Sequence, residues 1–305
     1  MKKDKQILID DILKLKNQRK ATILAHNYQI PEIQDLADYV GDSLELSKTS
    51  KNIDSSFLVF CGVKFMAETA KILSPNKKVL LPVPAAGCPL ADTIQEHELL
   101  GLKSKYPDAW VVSYVNTSAR IKALSDVCCT SSNAIAVARN VPSKRIIFVP
   151  DKNLGWWVQK NVPDKEIITW EGFCYVHEQF TLEELDEAKK IFPEAEALVH
   201  PECRKEILEK ADFVLSTAGI LKRAKESEAK QFIIGTEEGL IHKLKKENPG
   251  KEFYSLGRAK ICVNMKKTTL NELLQSLAKE IYEVNLKNEI IEKAQKALER
   301  MVTYV

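Results

Sequence analysis

Three of the seven cysteines, Cys88, Cys174 and Cys262, recur at intervals of 86 and 88 residues. They stand in the runs Ala86-Gly87-Cys88-Pro89, Gly172-Phe173-Cys174-Tyr175 and Lys260-Ile261-Cys262-Val263. Thiolates brought to one point need a cation to offset their charge, so convergence of the three would imply a metal or a cluster. Three sulfurs with no obvious fourth ligand fit a [4Fe–4S] cluster with one iron left open. Such an iron is a Lewis acid able to bind a hydroxyl or carboxylate and help expel water. The rival is a zinc site of three cysteines and one histidine, although the paired Cys-x2-Cys spacing of structural zinc is absent. A radical-type cluster is disfavoured because no Cys-x3-Cys-x2-Cys run occurs. Cys61, Cys128, Cys129 and Cys203 read as small buried apolar residues, and a bridge between the adjacent Cys128 and Cys129 would be strained.

The spacing of the cysteines gains its meaning from an internal repeat. Segments 23–43, 111–131 and 197–217 align without a gap. With His26, Tyr114 and His200 as position zero, position +2 holds Tyr28, Asn116 and Glu202, position +12 holds Asp38, Asp126 and Asp212, and position +17 holds Ser43, Ser131 and Thr217. The three cysteines fall at +62, +60 and +62. Histidine, tyrosine and glutamate can carry protons, and a hydroxyl beside helix N-terminal N–H groups can hold an anion. Any one of these serines alone would be a helix cap, and a single strand-end histidine a structural hydrogen-bonder. Three equivalent sets point instead to a shared polar pocket.

Positioning these groups requires the same order of elements three times. An amphipathic helix (6–19, 96–105, 182–192) precedes a short apolar strand ending at position zero. A helix and a second strand lead to the hydroxyl residue, and another helix leads to a third strand (57–60, 146–149, 232–234). A further helix (64–73, 153–160, 238–245) and a fourth strand (79–81, 167–169, 252–255) complete each unit. Short strands alternating with helices predict an α/β protein of three three-layer αβα domains, each with a parallel four-stranded sheet. Right-handed crossovers place the C-terminal strand ends on one edge. The predicted boundaries give domains 1–92, 93–180 and 181–267 and a C-terminal helical extension over 268–305, whose stretch 270–301 packs across the outside. Closure around a pseudo-threefold axis would turn all the strand-end groups toward one cavity. The bland alternative is a stacked array serving as a binding scaffold.

Composition sets the outer limits. A net charge of +3 from 45 basic and 42 acidic side chains gives no case for nucleic acid or membrane binding. An apolar fraction of 45% and a charged fraction of 29% are ordinary for a globular protein. The N-terminus reads as an amphipathic helix rather than a secretory signal, and apolar runs such as 57–63 are too short to span a bilayer. A cytoplasmic protein with reduced cysteines is expected.

At these residues the chain resembles the quinolinate synthase family over nearly its whole length. The motifs are Leu24-Ala-His-Asn-Tyr-Gln-Ile-Pro-Glu32, Gly41-Asp-Ser43, Phe65-Met-Ala-Glu68, Tyr114-Val-Asn116, Thr130-Ser131, Val199-His-Pro-Glu-Cys203, Gly235-Thr-Glu237 and Cys262-Val-Asn-Met-Lys266. The resemblance implies three similar domains around a pseudo-threefold axis, with Cys88, Cys174 and Cys262 as cluster ligands. It implies condensation of iminoaspartate with dihydroxyacetone phosphate to quinolinate, phosphate and water. His26, Ser43, Ser216 and Thr217 would hold phosphate or carboxylates. Asn116, Ser131, His200 and Thr236 would line the ring-forming pocket, with Met66 against the substrate ring and His177 near the cluster. Tyr28, Tyr114, Glu202 and His200 would carry protons. An iminoaspartate-producing enzyme is expected as a transient partner. Gly87, where a threonine is frequent, and the run Phe173-Cys174-Tyr175 depart from the family pattern beside the ligands without removing one. Two other classes stay open: a zinc-dependent aldolase or hydrolase, and a non-enzymatic sugar-phosphate-binding module.

Overall fold

The computed structural model of the chain describes residues 2–301, 303 and 304. The first unit runs α1 (Lys2–Arg19), β1 (Ala21–His26), α2 (Pro31–Leu36), β2 (Tyr39–Gly41), α3 (Ser43–Asn52), β3 (Phe57–Cys61), α4 (Lys64–Leu73) and β4 (Lys78–Leu80). The second runs α5 (Glu96–Lys105), β5 (Trp110–Tyr114), α6 (Ala119–Leu124), β6 (Val127–Cys129), α7 (Ala134–Asn140), β7 (Arg145–Val149), α8 (Lys152–Asn161) and β8 (Glu166–Thr169). The third runs α9 (Leu182–Ile191), β9 (Glu196–Val199), α10 (Lys205–Lys210), β10 (Phe213–Val214), α11 (Thr217–Glu226), β11 (Gln231–Gly235), α12 (Gly239–Glu247) and β12 (Glu252–Ser255). Each set forms one four-stranded sheet, in the orders β2-β1-β3-β4, β6-β5-β7-β8 and β10-β9-β11-β12, and every pairing is parallel. Central strands such as β3 are buried at every residue, as a sheet covered on both faces requires.

The repeated aspartates explain how such short strands keep register. Asp38, Asp126 and Asp212 accept, at 2.8 Å in each unit, the backbone N–H of Ile23, Val111 and Ala197. Their own N–H groups return to the carbonyls of the same three residues at 2.9, 3.0 and 3.1 Å. The carboxylate thus ties the start of the first strand to the turn before the second. Lys77, Lys165 and Lys251 form a second repeated device, 51 residues after position zero. Each turns its amine onto carbonyls at the end of the helix after the second strand: Lys77 to Ser50 and Ile53, Lys165 to Val141, and Lys251 to Ala224 and Ser227. A cation at a helix C-terminus satisfies orphan carbonyls and complements the helix dipole.

The three units close into a ring through equivalent helices. On α4, Glu68 accepts the N–H of Ala119 at the start of α6 at 2.8 Å. On α8, Trp156 packs against the apolar cluster that contains Ile207 and Leu208 of α10. On α12, His242 and Lys246 reach Asp35 of α2 at 3.1 and 2.6 Å. Each unit therefore touches the next through the same helix pair, and the third returns to the first.

The C-terminal segment differs from the single helical stretch expected over 270–301. It forms α13 (Leu270–Lys279) and α14 (Asn288–Arg300). Glu280, at φ 51°, ends α13 in the left-handed region. The chain between them then pairs with the open edge of the first sheet, where Leu81 N–H donates to Tyr282 at 3.1 Å and Val284 N–H to Val79 at 2.8 Å. Unmet hydrogen-bonding groups on that edge explain why the helix is interrupted. α13 packs on α1, and α14 lies over α4, α6 and β6, bridging the first two units. No described helix is long and apolar enough to cross a membrane.

Replacing Asp126 by alanine removes one aspartate clamp and should cost about 1–2 kcal/mol. We expect a fall in Tm of roughly 2–6 °C, with Asp126→Asn intermediate. An unchanged melting curve would refute the clamp.

Candidate active site

The C-terminal strand ends meet at a small cavity of about 70 Å³. His26 and Tyr114 are the last residues of β1 and β5, and His200 follows β9 directly. His26, Tyr28, Tyr114, Asn116, His177, His200 and Glu202 all line the cavity, as do Ser43, Ser131 and Thr217. Ser43 and Thr217 are spared from capping because neighbours do it: Asp42 accepts from Leu44 and Glu45 at 2.9 Å, and Ser216 accepts from Gly219 at 3.1 Å. Ser216 is thus a buried helix cap behind the wall. Met66 is 3% exposed and belongs to the core of the first unit with Phe60 and Phe65, apart from the cavity lining.

The two strand-end histidines are held alike. His26 Nδ1 accepts the Tyr28 N–H at 3.1 Å, and His200 Nδ1 accepts the Glu202 N–H at 3.4 Å. This places the ring proton on Nε2 in both, and His200 Nε2 then donates to Ser131 Oγ at 3.2 Å. Burial lowers both pKa values to about 3; at His26 the neighbouring His200 adds to the effect, and at His200 the opposing pull of Glu202 is too weak to reverse it. Both rings are neutral hydrogen-bond donors at ordinary pH.

Glu202 sits at the centre, 3% exposed. Burial alone would raise its pKa, but the adjoining His177 and the nearby Tyr114 hydroxyl outweigh it and hold the carboxyl below its ordinary value. Its Oε2 lies 2.8 Å from His177 Nδ1, and its Oε1 accepts from Asn116 Nδ2 at 3.2 Å. The other face of His177 continues the chain: Nε2 is 2.8 Å from Thr236 Oγ1, which is 2.6 Å from the Tyr28 hydroxyl. Thr236 thus bridges the Tyr28 hydroxyl and the His177 ring, while His177 Nδ1 meets Glu202 as a close electrostatic contact without hydrogen-bond alignment. Thr236 therefore acts through its neighbours at the end of β11. The Tyr28 and Tyr114 phenols are pushed well above their ordinary pKa by burial and by Glu202, so both keep their protons.

Cys88, Cys174 and Cys262 line the same cavity. Their loops are pinned alike, with the N–H of Lys64, Lys152 and Glu238 donating to the carbonyl two residues before each cysteine, at 2.8, 2.8 and 3.1 Å. In the second loop Gly172 is required, since a Cβ there would meet the Pro150 carbonyl oxygen at 2.4 Å. Every sulfur accepts backbone N–H groups from the second and third residues after it: Leu90 and Ala91 for Cys88, Val176 and His177 for Cys174, and Asn264 and Met265 for Cys262. Three identical turns thus aim N–H groups at sulfur, as a thiolate requires. Burial nevertheless raises all three thiol pKa values, that of Cys88 to about 12 with Glu202 and Cys262 contributing, so ionising them together calls for a cation. The donor set fits a cluster better than one ion. A single zinc at a Zn–S distance of about 2.3 Å would draw the sulfurs to about 3.8 Å. Among the described residues, the set of three ligand atoms within 4.8 Å of one another is instead Cys174, His177 and Glu202. Cys61, Cys128, Cys129 and Cys203 are free and buried away from this rim.

Sequence reasoning assigned no role to Glu237 or Tyr175. Glu237 is fully buried, accepts the Cys262 N–H at 3.1 Å and pairs with Lys266 at 2.9 Å. Its repeat partner at +37, Asp151, caps α8 through the Leu154 N–H at 2.8 Å, and that shared register was the available signal.

Parallel strands from three units, delivering proton carriers to a buried cavity rimmed by three equivalent thiol turns, define a three-domain α/β enzyme with a thiol-lined active site. The family described as Quinolinate synthetase A protein matches residues 10–303. The quinolinate synthase of Alkaliphilus metalliredigens is 54% identical over 295 residues, covering 97% of each chain. That of Caldicellulosiruptor saccharolyticus is 55% identical over 292 residues (96% of each), and quinolinate synthase 2 of Methanosarcina acetivorans is 50% identical over 298 residues (98% of this chain and 96% of the relative). The chain belongs to the quinolinate synthase family, enzymes of NAD biosynthesis.

The neutral histidines make a pH prediction. Their folded pKa lies below the unfolded value of 6.5, so their contribution to stability is complete above pH 6.5 and declines as pH falls toward 3. At pH 5 each costs about 2 kcal/mol. Urea midpoints between pH 7.5 and 5 should fall less steeply for His200→Gln than for the unaltered protein; parallel profiles would contradict the assignment.

Proposed function

We propose that the chain condenses iminoaspartate with dihydroxyacetone phosphate to give quinolinate, phosphate and water, with a [4Fe–4S] cluster held by Cys88, Cys174 and Cys262. The observation that carries this reading is the convergence of three identically built thiol turns on the cavity that contains ionised Glu202. When bound, a three-thiolate cluster supplies a Lewis-acidic iron with an open coordination position for a substrate hydroxyl or carboxylate.

The protein's own residues supply binding and proton movement. Ser43 and Thr217, at the first turns of α3 and α11, present hydroxyls and backbone N–H groups to phosphate or carboxylate oxygens. The Nε2–H groups of His26 and His200, with Asn116 and Ser131, orient the carbon skeleton. Glu202 is the base that accepts a proton from carbon during triose isomerisation and the eliminations. Tyr28 and Tyr114 are the donors to departing oxygens. Thr236 and His177, lying between Tyr28 and Glu202, hold these two groups in place. Burial of His26, Tyr114, His177, His200 and Glu202 limits the access of bulk water to the imine. Because that imine is hydrolysable, we also propose a transient contact with the enzyme that makes it. Seven free cysteines suit the reducing cytoplasm, where we place the protein.

One observation favours a second reading. Cys174, His177 and Glu202 could hold a single zinc ion, as in a zinc-dependent lyase. Anaerobic purification followed by metal analysis decides between the two. About four iron and four sulfide per chain, with quinolinate formed from the two substrates, is the expected result; stoichiometric zinc would reject the cluster. Cys→Ala at 88, 174 or 262 should abolish cluster absorbance and turnover, and a full cluster retained without Cys174 would overturn the ligand set. Glu202→Gln should keep the cluster while lowering kcat by about 10²–10⁴.

A further inference from the structure

At +39 from position zero the units carry Phe65, Asn153 and Gly239, and four residues after the cavity cysteines they carry Asp92, Glu178 and Lys266. In the second unit these two positions work together. Asn153 Nδ2 donates to the backbone carbonyl of Glu202, in the third unit, at 3.0 Å and to the Glu178 carboxylate at 2.9 Å. In the third unit one side chain does the same work. Lys266 Nζ donates to the backbone carbonyl of Tyr28, in the first unit, at 2.7 Å and pairs with buried Glu237 at 2.9 Å. Gly239 makes room for it, since a Cβ there would meet Lys266 Nζ at 2.8 Å and the Tyr28 carbonyl carbon at 2.9 Å. The first unit has no such donor at either position, because the Phe65 side chain has no polar atom and the Asp92 carboxylate only accepts. The +2 residue of the next unit round the ring, Asn116, is also the one given no proton to carry. Both anchors therefore fall on proton carriers, and both come from the preceding unit.

We propose that Lys266 and Asn153 are positioning residues that hold the main chain of Tyr28 and of Glu202 across two unit junctions, and so fix where each proton carrier meets the substrate. The proposal rests on the roles given to Tyr28 and Glu202 under the proposed function. Neither Lys266 nor Asn153 lines the cavity, so each acts through the residue it holds. A held carbonyl fixes its peptide plane, and with it the direction in which the side chain leaves the backbone. Misplacing a reacting group by about 1 Å costs about 10²-fold in rate.

The test is a pair of double-mutant cycles in the anaerobically prepared holoprotein, read as kcat and KM for quinolinate formation per cluster-loaded chain. Lys266→Met should lower kcat by about 10–10² with KM changed less than about twofold, and Lys266→Arg should recover part of the loss. In a Tyr28→Phe background the same change should cost less than about twofold, and Asn153→Leu should behave likewise against Glu202→Gln. Amide exchange over residues 27–30 should quicken about tenfold in Lys266→Met, because a bond from a cation to a carbonyl is lost. Lys266→Gln combined with Glu237→Gln removes both buried charges together and stands in if Lys266→Met does not fold. Additive losses in either cycle, or a rise in KM at unchanged kcat, would overturn the positioning role of the residue concerned. Turnover untouched by Tyr28→Phe and Glu202→Gln would instead overturn the proton carriers of the proposed function, and this inference with them.

Discussion

Glu202 is a negative charge held almost wholly out of water, and the architecture of the site follows from what that demands. An ionised carboxylate in such a place survives only with close, well-aimed partners. Tyr114 and Asn116 come from the end of β5, His177 from the turn after Cys174, and Tyr28 joins from the first unit through Thr236. No single αβα unit could supply them. The charge therefore depends on closure of the ring, and the ring brings the three cysteine loops to the same cavity. Stabilising the carboxylate and assembling the thiol rim are consequences of one arrangement.

The repeat supplies positions, and its chemistry comes from breaking the symmetry. Positions held equal are structural: the aspartate at +12 clamps each strand start, and the lysine at +51 closes each helix end. Positions that diverge meet the cavity. At zero the units present His26, Tyr114 and His200, and at +2 they present Tyr28, Asn116 and Glu202. Both histidines use Nδ1 to accept the +2 N–H, so the unit backbone sets their tautomer while the +2 side chain is left free to differ. A threefold framework can in this way surround one asymmetric substrate with three different groups from each register.

Much of this was legible in the chain. Short apolar runs alternating with amphipathic helices specify parallel sheets, because only buried strands can be apolar at every residue, as in Phe57–Cys61. The strict +2, +12 and +17 registers located the strand ends and hence the cavity. What was hidden depends on side-chain direction. The presence of Asp42 and Ser216 beside Ser43 and Thr217 does not disclose which of each pair caps the helix, yet that choice decides which hydroxyl faces the cavity. Met66 stands in a family motif, but its helical face turns it into the core with Phe60. The link through Thr236 joins residues 59 and 208 positions away, a contact that no local pattern encodes. The break after α13 likewise answers to the unpaired edge of β4, a tertiary feature.

Chain connectivity explains why the C-terminal segment is built as it is. The first unit is joined to the second, and the second to the third, by the loops that carry Cys88 and Cys174. The third has no such link to the first, and the ring there closes through side chains such as His242 and Lys246 on Asp35. After Cys262 the chain supplies the missing tether: α13 returns to α1, residues 282–284 extend the first sheet, and α14 lies over the junction of the first two units. The three cysteine loops are thus each followed by chain that crosses to another unit, so whatever draws their sulfurs together also tightens every junction of the ring. Metal binding at such a rim is coupled to folding, because the ligands come from separate domains and meet only in the closed assembly.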